Sequence, residues 1–319
     1  MVDFTVTIIG SGSAVPMHGR HPSAQVVQHG ESYFLIDCGE GTQLRFKEAG
    51  IKPFRIQIIF ISHLHGDHVF GLPGLLSSYS HLGRSEPLTI YGPTGIKEFL
   101  ETIFHFAEMK IRFPLEIKEV DTPGPQKIYE TDDLEILTFP LKHRIKCQGY
   151  LFREKKETIR FNKETLKSFA LSPEQIRKAM EGEVIKVNGE IIPAENIFLP
   201  PLSAMSYAYC SDTAYLPSLG SWLKSVKVIY HEATFRNDLE DLARETGHTT
   251  AGEAARIAEH AGADCLLLGH YSSRYKSLDE LLEEARIVFP NTILSEEGKQ
   301  YKVREMSVFS NSEPHGRTG

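Results

Sequence analysis

The sequence predicts an α/β fold, a four-layer αββα sandwich in which two sheets pack face to face and helices cover both outer faces. Three observations predict it. Short apolar runs bounded by Gly, Pro and Asp recur along the 319 residues, as buried strands do. Segments with helical apolar spacing separate these runs. The alternation occurs twice, in two successive halves, and 41% hydrophobic content fills a sizeable core.

In the first half, Phe4–Ile9, Tyr33–Ile36, Ile56–Ile61, Leu88–Tyr91 and Leu134–Phe139 read as strands. Helices are expected at about Gly41–Ala49, Leu72–His81 and Thr94–Phe106. In the second half, Tyr207–Ser211, Val226–Tyr230 and Cys265–Leu268 read as buried strands, and Ala251–His260 and Leu278–Val288 as helices. One stretch breaks the rhythm. Arg153–Ile192 is polar and charged, holds a small helix at Pro173–Met180, and lies between two core strands. It reads as an arm inserted into a single domain spanning 1–309, because a long polar excursion is more often functional than structural. The polar tail, 310–319, is expected to be flexible.

The net charge of −7 excludes a simple basic nucleic-acid binder. Any nucleic-acid partner must be held by a local patch or by metal ions. Cys38, Cys147, Cys210 and Cys265 are too scattered for a disulfide framework and read as buried thiols in a reducing compartment. The run Val6-Thr7-Ile8-Ile9 passes straight into Gly10-Ser11-Gly12 without a signal-peptide pattern, and no stretch is apolar for long enough to span a bilayer. A cytoplasmic protein with no membrane contact is expected.

The chemistry concentrates at His63-Leu64-His65-Gly66-Asp67-His68, directly after the strand Ile56–Ile61 and Ser62. Four potential metal ligands fall within six residues, and Gly66 is expected to supply backbone freedom for the turn. Imidazole with carboxylate suits Zn²⁺, with Fe²⁺ or Mn²⁺ as substitutes. A lone His near a strand end is usually a hydrogen-bonded surface residue. Three His and one Asp at this spacing are not.

The H-x-H-x-D-H spacing resembles the signature of the metallo-β-lactamase fold, and the resemblance covers most of the chain. His143, Asp212 and His270 each stand just past an apolar run, in the order that fold requires. The resemblance implies two zinc ions per subunit: His63, His65 and His143 on one, Asp67, His68 and His270 on the other, with Asp212 bridging. Such a pair lowers the pKa of a shared water and neutralises a phosphodiester oxygen.

Three further motifs are similar to those of the ribonuclease Z family. His231-Glu232-Ala233-Thr234 follows the strand Val226–Tyr230. His248-Thr249-Thr250 precedes the helix Ala251–His260, with Thr249 or Thr250 able to cap it. By resemblance His248 is the general acid, Glu232 orients it, and Asp67 orients or deprotonates the attacking water. In Gly269-His270-Tyr271-Ser272-Ser273-Arg274-Tyr275, Ser272, Ser273 and Arg274 are expected to contact phosphate oxygens. Arg20 joins them from Pro16-Met17-His18-Gly19-Arg20-His21, where the family often has P-x-K-x-R-N and this chain keeps only the Pro and the Arg.

The arm fits the same picture, since the family grips tRNA with an arm at this place in the chain. From Lys142 to Lys163 there are eight Lys/Arg against two Glu, a local basic surplus in an acidic chain. Leu171-Ser172-Pro173 stands where the family arm has a Gly-Pro turn. The resemblance therefore implies a zinc-dependent endoribonuclease, a homodimer by family habit, that removes the 3′ trailer from precursor tRNA. It leaves a 3′ hydroxyl on the tRNA and a 5′ phosphate on the trailer. The alternative is a phosphodiesterase of the same fold acting on small or cyclic nucleotides. A non-catalytic RNA-binding protein on a degenerate fold ranks lower, because all seven ligand candidates are present.

Overall fold

The computed structural model describes residues 2–308. In chain order, the first half runs β1 (Phe4–Gly10), β2 (Ala24–His29), β3 (Ser32–Ile36), α1 (Thr42–Glu48), β4 (Ile56–Phe60), α2 (Gly66–Val69), α3 (Gly71–His81), β5 (Leu88–Gly92), α4 (Ile96–Phe106) and β6 (Leu115–Glu119). The second sheet opens with β7 (Gln126–Glu130), β8 (Leu134–Leu141) and β9 (Cys147–Glu154). An excursion follows: β10 (Thr158–Phe161), α5 (Lys163–Ser168), α6 (Pro173–Met180), β11 (Ile185–Val187), β12 (Glu190–Ile192), α7 (Ala194–Ile197) and β13 (Phe198–Leu202). The chain then completes the sheets with β14 (Ser206–Cys210), α8 (Ser218–Trp222), β15 (Val228–Glu232), α9 (Glu240–Thr246), α10 (Ala251–Ala261), β16 (Cys265–Gly269), α11 (Asp279–Val288), β17 (Thr292–Leu294), β18 (Gln300–Lys302) and α12 (Val303–Val308).

Two seven-stranded sheets result, ordered β18-β1-β2-β3-β4-β5-β6 and β17-β16-β15-β14-β9-β8-β7. Each is parallel on one side and antiparallel on the other. The period-2 alternation of the strands divides the core cleanly. Phe4, Val6 and Ile8 of β1 and Ile58 and Phe60 of β4 meet Tyr150, Phe152, Tyr207, Tyr209, Val228, Tyr230 and Leu267 from the second sheet. The intervening residues face outward: Ile59 packs with Leu72, Leu76 and Leu100 of α3 and α4, while Ile229, Leu266 and Leu268 pack with α10 and α11. Strands covered on both faces read as unbroken apolar runs, and that made them legible in the sequence. The four-layer αββα sandwich is therefore present. All four cysteines are buried thiols.

α10 shows how the sequence sets an element. Thr250 accepts from the Glu253 backbone N–H while the Glu253 side chain returns to the Thr250 backbone, a reciprocal cap. Gly262 ends the helix in the left-handed region at φ +63°. Ala251, Ala254, Ala255 and Ala258 form a face of small side chains packed on the sheet. Of the two expected caps, Thr250 takes the role; Thr249 instead donates its hydroxyl to the Thr213 carbonyl.

The excursion forms a compact unit of its own, running from Glu154 to Ala204 rather than ending at Ile192. Leu171, Ala179, Ile185, Ile192 and Ile197 make its small core. Its helix α6 has the predicted limits, set by a Ser172–Gln175 capping box and Pro173 in the first turn. The extra length was hidden because β13 carries two prolines, Pro200 and Pro201, and does not read as a strand. In the larger unit, Arg153 pairs with Ser206 across β9 and β14, so the chain leaves and re-enters at neighbouring positions. The tail 310–319 lies outside the described residues. No helix among those described is long and apolar enough to cross a membrane.

Candidate active site

The site is assembled where strands of both sheets end. The chain leaves β3 at Asp37, β14 at Asp212 and β16 just before His270, and all three take left-handed φ values of +55°, +40° and +54°. Such backbone is costly for a residue with a Cβ, about 1–3 kcal/mol each, and is kept where it aims a side chain. Here it turns three polar groups into one place. The segment after β4 adds His63 and His65 from its loop and Asp67 and His68 from α2, and the segment after β8 adds His143.

The donor atoms form two groups around Asp212. On one side His63 Nε2 and His65 Nδ1 are 3.0 Å apart, and His143 Nε2 is 3.2 Å from His65 Nδ1. Asp212 Oδ2 faces them, 3.5 Å from His63 and 3.8 Å from His143. On the other side His68 Nε2 and His270 Nε2 are 3.3 Å apart, and Asp67 Oδ2 is 3.6 Å from each. Asp212 Oδ1 faces this pair at 3.2 and 3.0 Å. A tetrahedral shell with metal–ligand bonds of about 2.0–2.1 Å has edges of roughly 3.3 Å. Both groups match that spacing, and one carboxylate presents a different oxygen to each. The residues fit a metal centre.

The partners behind the ligands reinforce the fit. A His that binds a cation through one nitrogen must have the other fixed. His143 Nδ1 donates to the Gly247 carbonyl at 2.8 Å. His68 Nδ1 donates to Asp37 at 2.7 Å. Ser62 Oγ gives its proton to Asp37, so it accepts from His63 Nδ1 at 3.0 Å. Thr234 Oγ1 gives its proton to Glu232, so it accepts from His270 Nδ1 at 3.0 Å. In the neutral ring each arrangement leaves the Nε2 lone pair directed at the site. Burial pushes His63, His65 and His143 below their ordinary pKa and favours that form. Burial also pushes His68 down, but Asp212, Asp67 and Asp37 more than offset it and raise the ring well above its ordinary pKa. The surplus of carboxylate there draws positive charge.

His248 stands beside this centre, its ring 5.1 Å from His143 and 5.6 Å from His270. Its Nδ1 is 2.9 Å from Glu232 Oε1. Glu232 is fully buried and also accepts from the Thr213 and Thr234 backbone N–H groups and the Thr234 hydroxyl. Burial pushes the His248 pKa down, but the Glu232 carboxylate outweighs it and raises the ring to about 9. A cleft of about 440 Å³ opens here, lined by His65, Asp67, Asp212, His248 and His270 together with Arg144, Ser13–Pro16, Glu40 and Phe70.

Four expected contact residues take other places. Arg20 donates to the carbonyls of Ser272 and Tyr275. Arg274 donates to Ser272 Oγ at 3.1 Å and lies over the Phe235 ring. The Ser273 carbonyl is 3.0 Å from His18 Nε2. These groups brace the loop that carries His270, and Arg20, Ser272, Ser273 and Arg274 are not among the lining residues. Arg144 is, and sequence reading counted it only as part of a basic run. Asp37, Thr234 and Tyr209, whose hydroxyl donates to Asp37 at 2.7 Å, were also missed as site residues. Asp37 had one signal: an acidic residue closing the strand Tyr33–Ile36, as Asp212 closes its own. Gly66 needs a correction. It has no left-handed φ; its missing side chain makes room for the Phe70 ring.

Comparison with known proteins agrees with this geometry. Residues 4–161 match the family described as Anti-Pycsar protein Apyc1. A Ribonuclease Z of Porphyromonas gingivalis is 41% identical over 298 residues, 93% of this chain and 98% of that one. A Ribonuclease Z of Parabacteroides distasonis is 38% identical over 304 residues, 95% and 100% of the two chains. Among solved structures, human tRNase Z, short form (ELAC1), superposes with a TM-score of 0.70 at 25% identity, covering 94% of this chain and 99% of that one. The metallo-β-lactamase fold protein YhfI from Bacillus subtilis gives 0.65 at 20% identity, with 94% and 99% covered, which speaks to the fold alone. Fold and site thus define a hydrolase of the metallo-β-lactamase fold. Within that class, the chain belongs to the ribonuclease Z family.

Proposed function

We propose that this chain is a zinc-dependent endoribonuclease that removes the 3′ trailer from precursor tRNA, leaving a 3′ hydroxyl on the tRNA and a 5′ phosphate on the trailer. The observation that carries it is 38–41% identity over nearly the full length to proteins named Ribonuclease Z, on a site whose whole donor set is in place. His63, His65, His143 and Asp212 Oδ2 would hold one zinc; Asp67, His68, His270 and Asp212 Oδ1 would hold the other. Bound there, the pair supplies Lewis-acid chemistry, acidifying water and taking up charge on the phosphoryl oxygens.

The chain's own groups do the rest. Glu232 keeps His248 oriented and protonated, so that its Nε2 donates to the departing 3′ oxygen. Asp67 accepts from the Ala14 backbone N–H at 2.8 Å and stays ionised, because the His68 and His270 rings more than offset its burial. It orients the attacking water as a hydrogen-bond acceptor. Arg144, on the cleft wall, offers a guanidinium to a phosphate oxygen. The unit Glu154–Ala204 serves as the tRNA-binding arm. It contains eight Lys/Arg and eight Glu, so the basic run is confined to its start and to the segment before it. A homodimer is the assembly that goes with this reading, and the exposed Leu44, Phe54 and Leu82 around an apolar groove beside α1 offer a face for it.

The test is cleavage of a precursor tRNA with a short 3′ trailer, with both new ends mapped, by wild-type protein and by Asp67→Ala. One cut after the discriminator base with the stated ends, lost in the variant, supports the reading. Efficient hydrolysis of cyclic or small nucleotides beside an intact precursor would favour the small-substrate phosphodiesterase instead.

A further inference from the structure

One group on the cleft wall has no part in the hydrolytic machinery. Phe70 follows α2 directly and is 63% exposed. It lies over the backbone of Gly66, where an added Cβ would come within 2.3 Å of Cε2, 2.6 Å of Cδ2 and 2.8 Å of Cζ. The glycine inside the ligand motif thus leaves room for an aromatic ring that is largely exposed. Among the described residues lining the cleft, Phe70 is the only Phe, Tyr or Trp. Val15 and Pro16, both exposed, and Pro22 extend an apolar surface from the other loops of the first sheet.

The two walls of the cleft differ in chemistry. Arg144 and His248 come from segments of the second sheet; Phe70, Val15, Pro16 and Glu40 come from loops of the first. His248 meets the departing 3′ oxygen, which belongs to the tRNA side of the cut. The phosphoryl group stays with the trailer. On the processing reading, the tRNA strand would reach the centre along the His248 side and the trailer would leave along the side that bears Phe70. Glu40 disfavours a phosphate on that wall, whereas a flat apolar base is suited to it.

We infer that Phe70 is a stacking platform for the base of the first trailer nucleotide. This rests on the processing reading above. A ring face accepts any base, so the contact adds affinity without demanding a sequence, as trailers of varied sequence require.

The test uses two zinc-loaded reactions that differ in one group: a precursor tRNA with an intact first trailer nucleotide, and the same RNA abasic there. kcat/KM is measured for wild type, Phe70→Ala and Phe70→Trp, and bound zinc per chain is measured for each. Wild type is expected to favour the intact substrate by about tenfold. Phe70→Ala loses that preference with its zinc unchanged, and Phe70→Trp keeps it. On the abasic RNA, wild type and Phe70→Ala should be alike, because the base and the ring act only together. An equal loss on both substrates for Phe70→Ala, or a wild type indifferent to the missing base, overturns the inference. Wild-type protein that cuts neither RNA is a separate result: it removes the processing reading, and this inference with it.

Discussion

Replacing Asp37 by Asn changes no proposed ligand and alters only what stands behind His68 directly and behind His63 through Ser62. The Asp37 carboxylate is fully buried; its Oδ1 accepts from the Ser62 backbone N–H at 2.7 Å. Its Oδ2 accepts from Ser62 Oγ, His68 Nδ1 and Tyr209 Oη at 2.8, 2.7 and 2.7 Å. An amide cannot serve all four donors. With its oxygen in the Oδ2 place, its NH₂ confronts the Ser62 N–H; reversed, it confronts the other three. Either way a charge-assisted bond to His68 is lost, worth roughly 1.5–3 kcal/mol. At about 1.4 kcal/mol per decade, that is a ten- to hundredfold loss of affinity at the His68 site, the range expected for partners of metal-bound His. Competition against a chromogenic chelator measures it, with thermal unfolding in saturating zinc as a check on folding. Asp37→Asn protein that holds both zinc ions within twofold of wild type would refute the reasoning.

Further predictions follow from the same geometry. Glu232→Gln removes the group that lifts His248 to about 9, leaving burial to push it to its ordinary value of about 6.5 or below. The acid is active when protonated, so the alkaline limb of the cleavage profile should move down. At pH 8 the rate should fall roughly 30-fold, and a profile unchanged in shape would count against Glu232. Gly247 sits at φ +75°, its missing Cβ 3.1 Å from His143 Nδ1. Gly247→Ala should cost about 1–2 kcal/mol in denaturant unfolding and weaken zinc binding as His143 is displaced. Because Arg153 and Ser206 are paired neighbours, Glu154–Ala204 can be replaced by a short Gly-rich link. That protein should lose affinity for precursor tRNA yet still hydrolyse a simple chromogenic phosphodiester; undiminished tRNA affinity would deny the arm its role.

The sequence was most informative where chemistry is local. Four candidate ligands within six residues after an unbroken apolar strand announced a metal centre, and the doubly buried strands announced the sandwich around it. His143, Asp212 and His270 stood out because each stands where a strand gives out, and the structure brings them together with that cluster. Groups acting across long sequence distances were not legible. Nothing in the order of residues says that Asp37 meets His68, that Thr234 links His270 to Glu232, or that Tyr209 reaches Asp37 from the other sheet. The loop residues Arg20, Ser272, Ser273 and Arg274 have phosphate-binding chemistry, but in the structure Arg20 and Arg274 donate to groups of the loop itself, which only coordinates reveal. Gly66 shows the opposite ambiguity: a glycine in a turn suggested backbone freedom, and the reason turned out to be a neighbouring ring.

Asp212 presents one oxygen to each of two donor groups, and the proposed function needs a cation at both to cleave precursor tRNA. Its most direct test is to strip the protein with chelator, return zinc in measured steps, and follow bound zinc and trailer removal on the same sample. Binding is expected to level off at about two zinc ions per chain, one for each donor group, with cleavage appearing as the second is filled. Full activity at one zinc per chain, or two zinc ions bound with the precursor uncut, would contradict it.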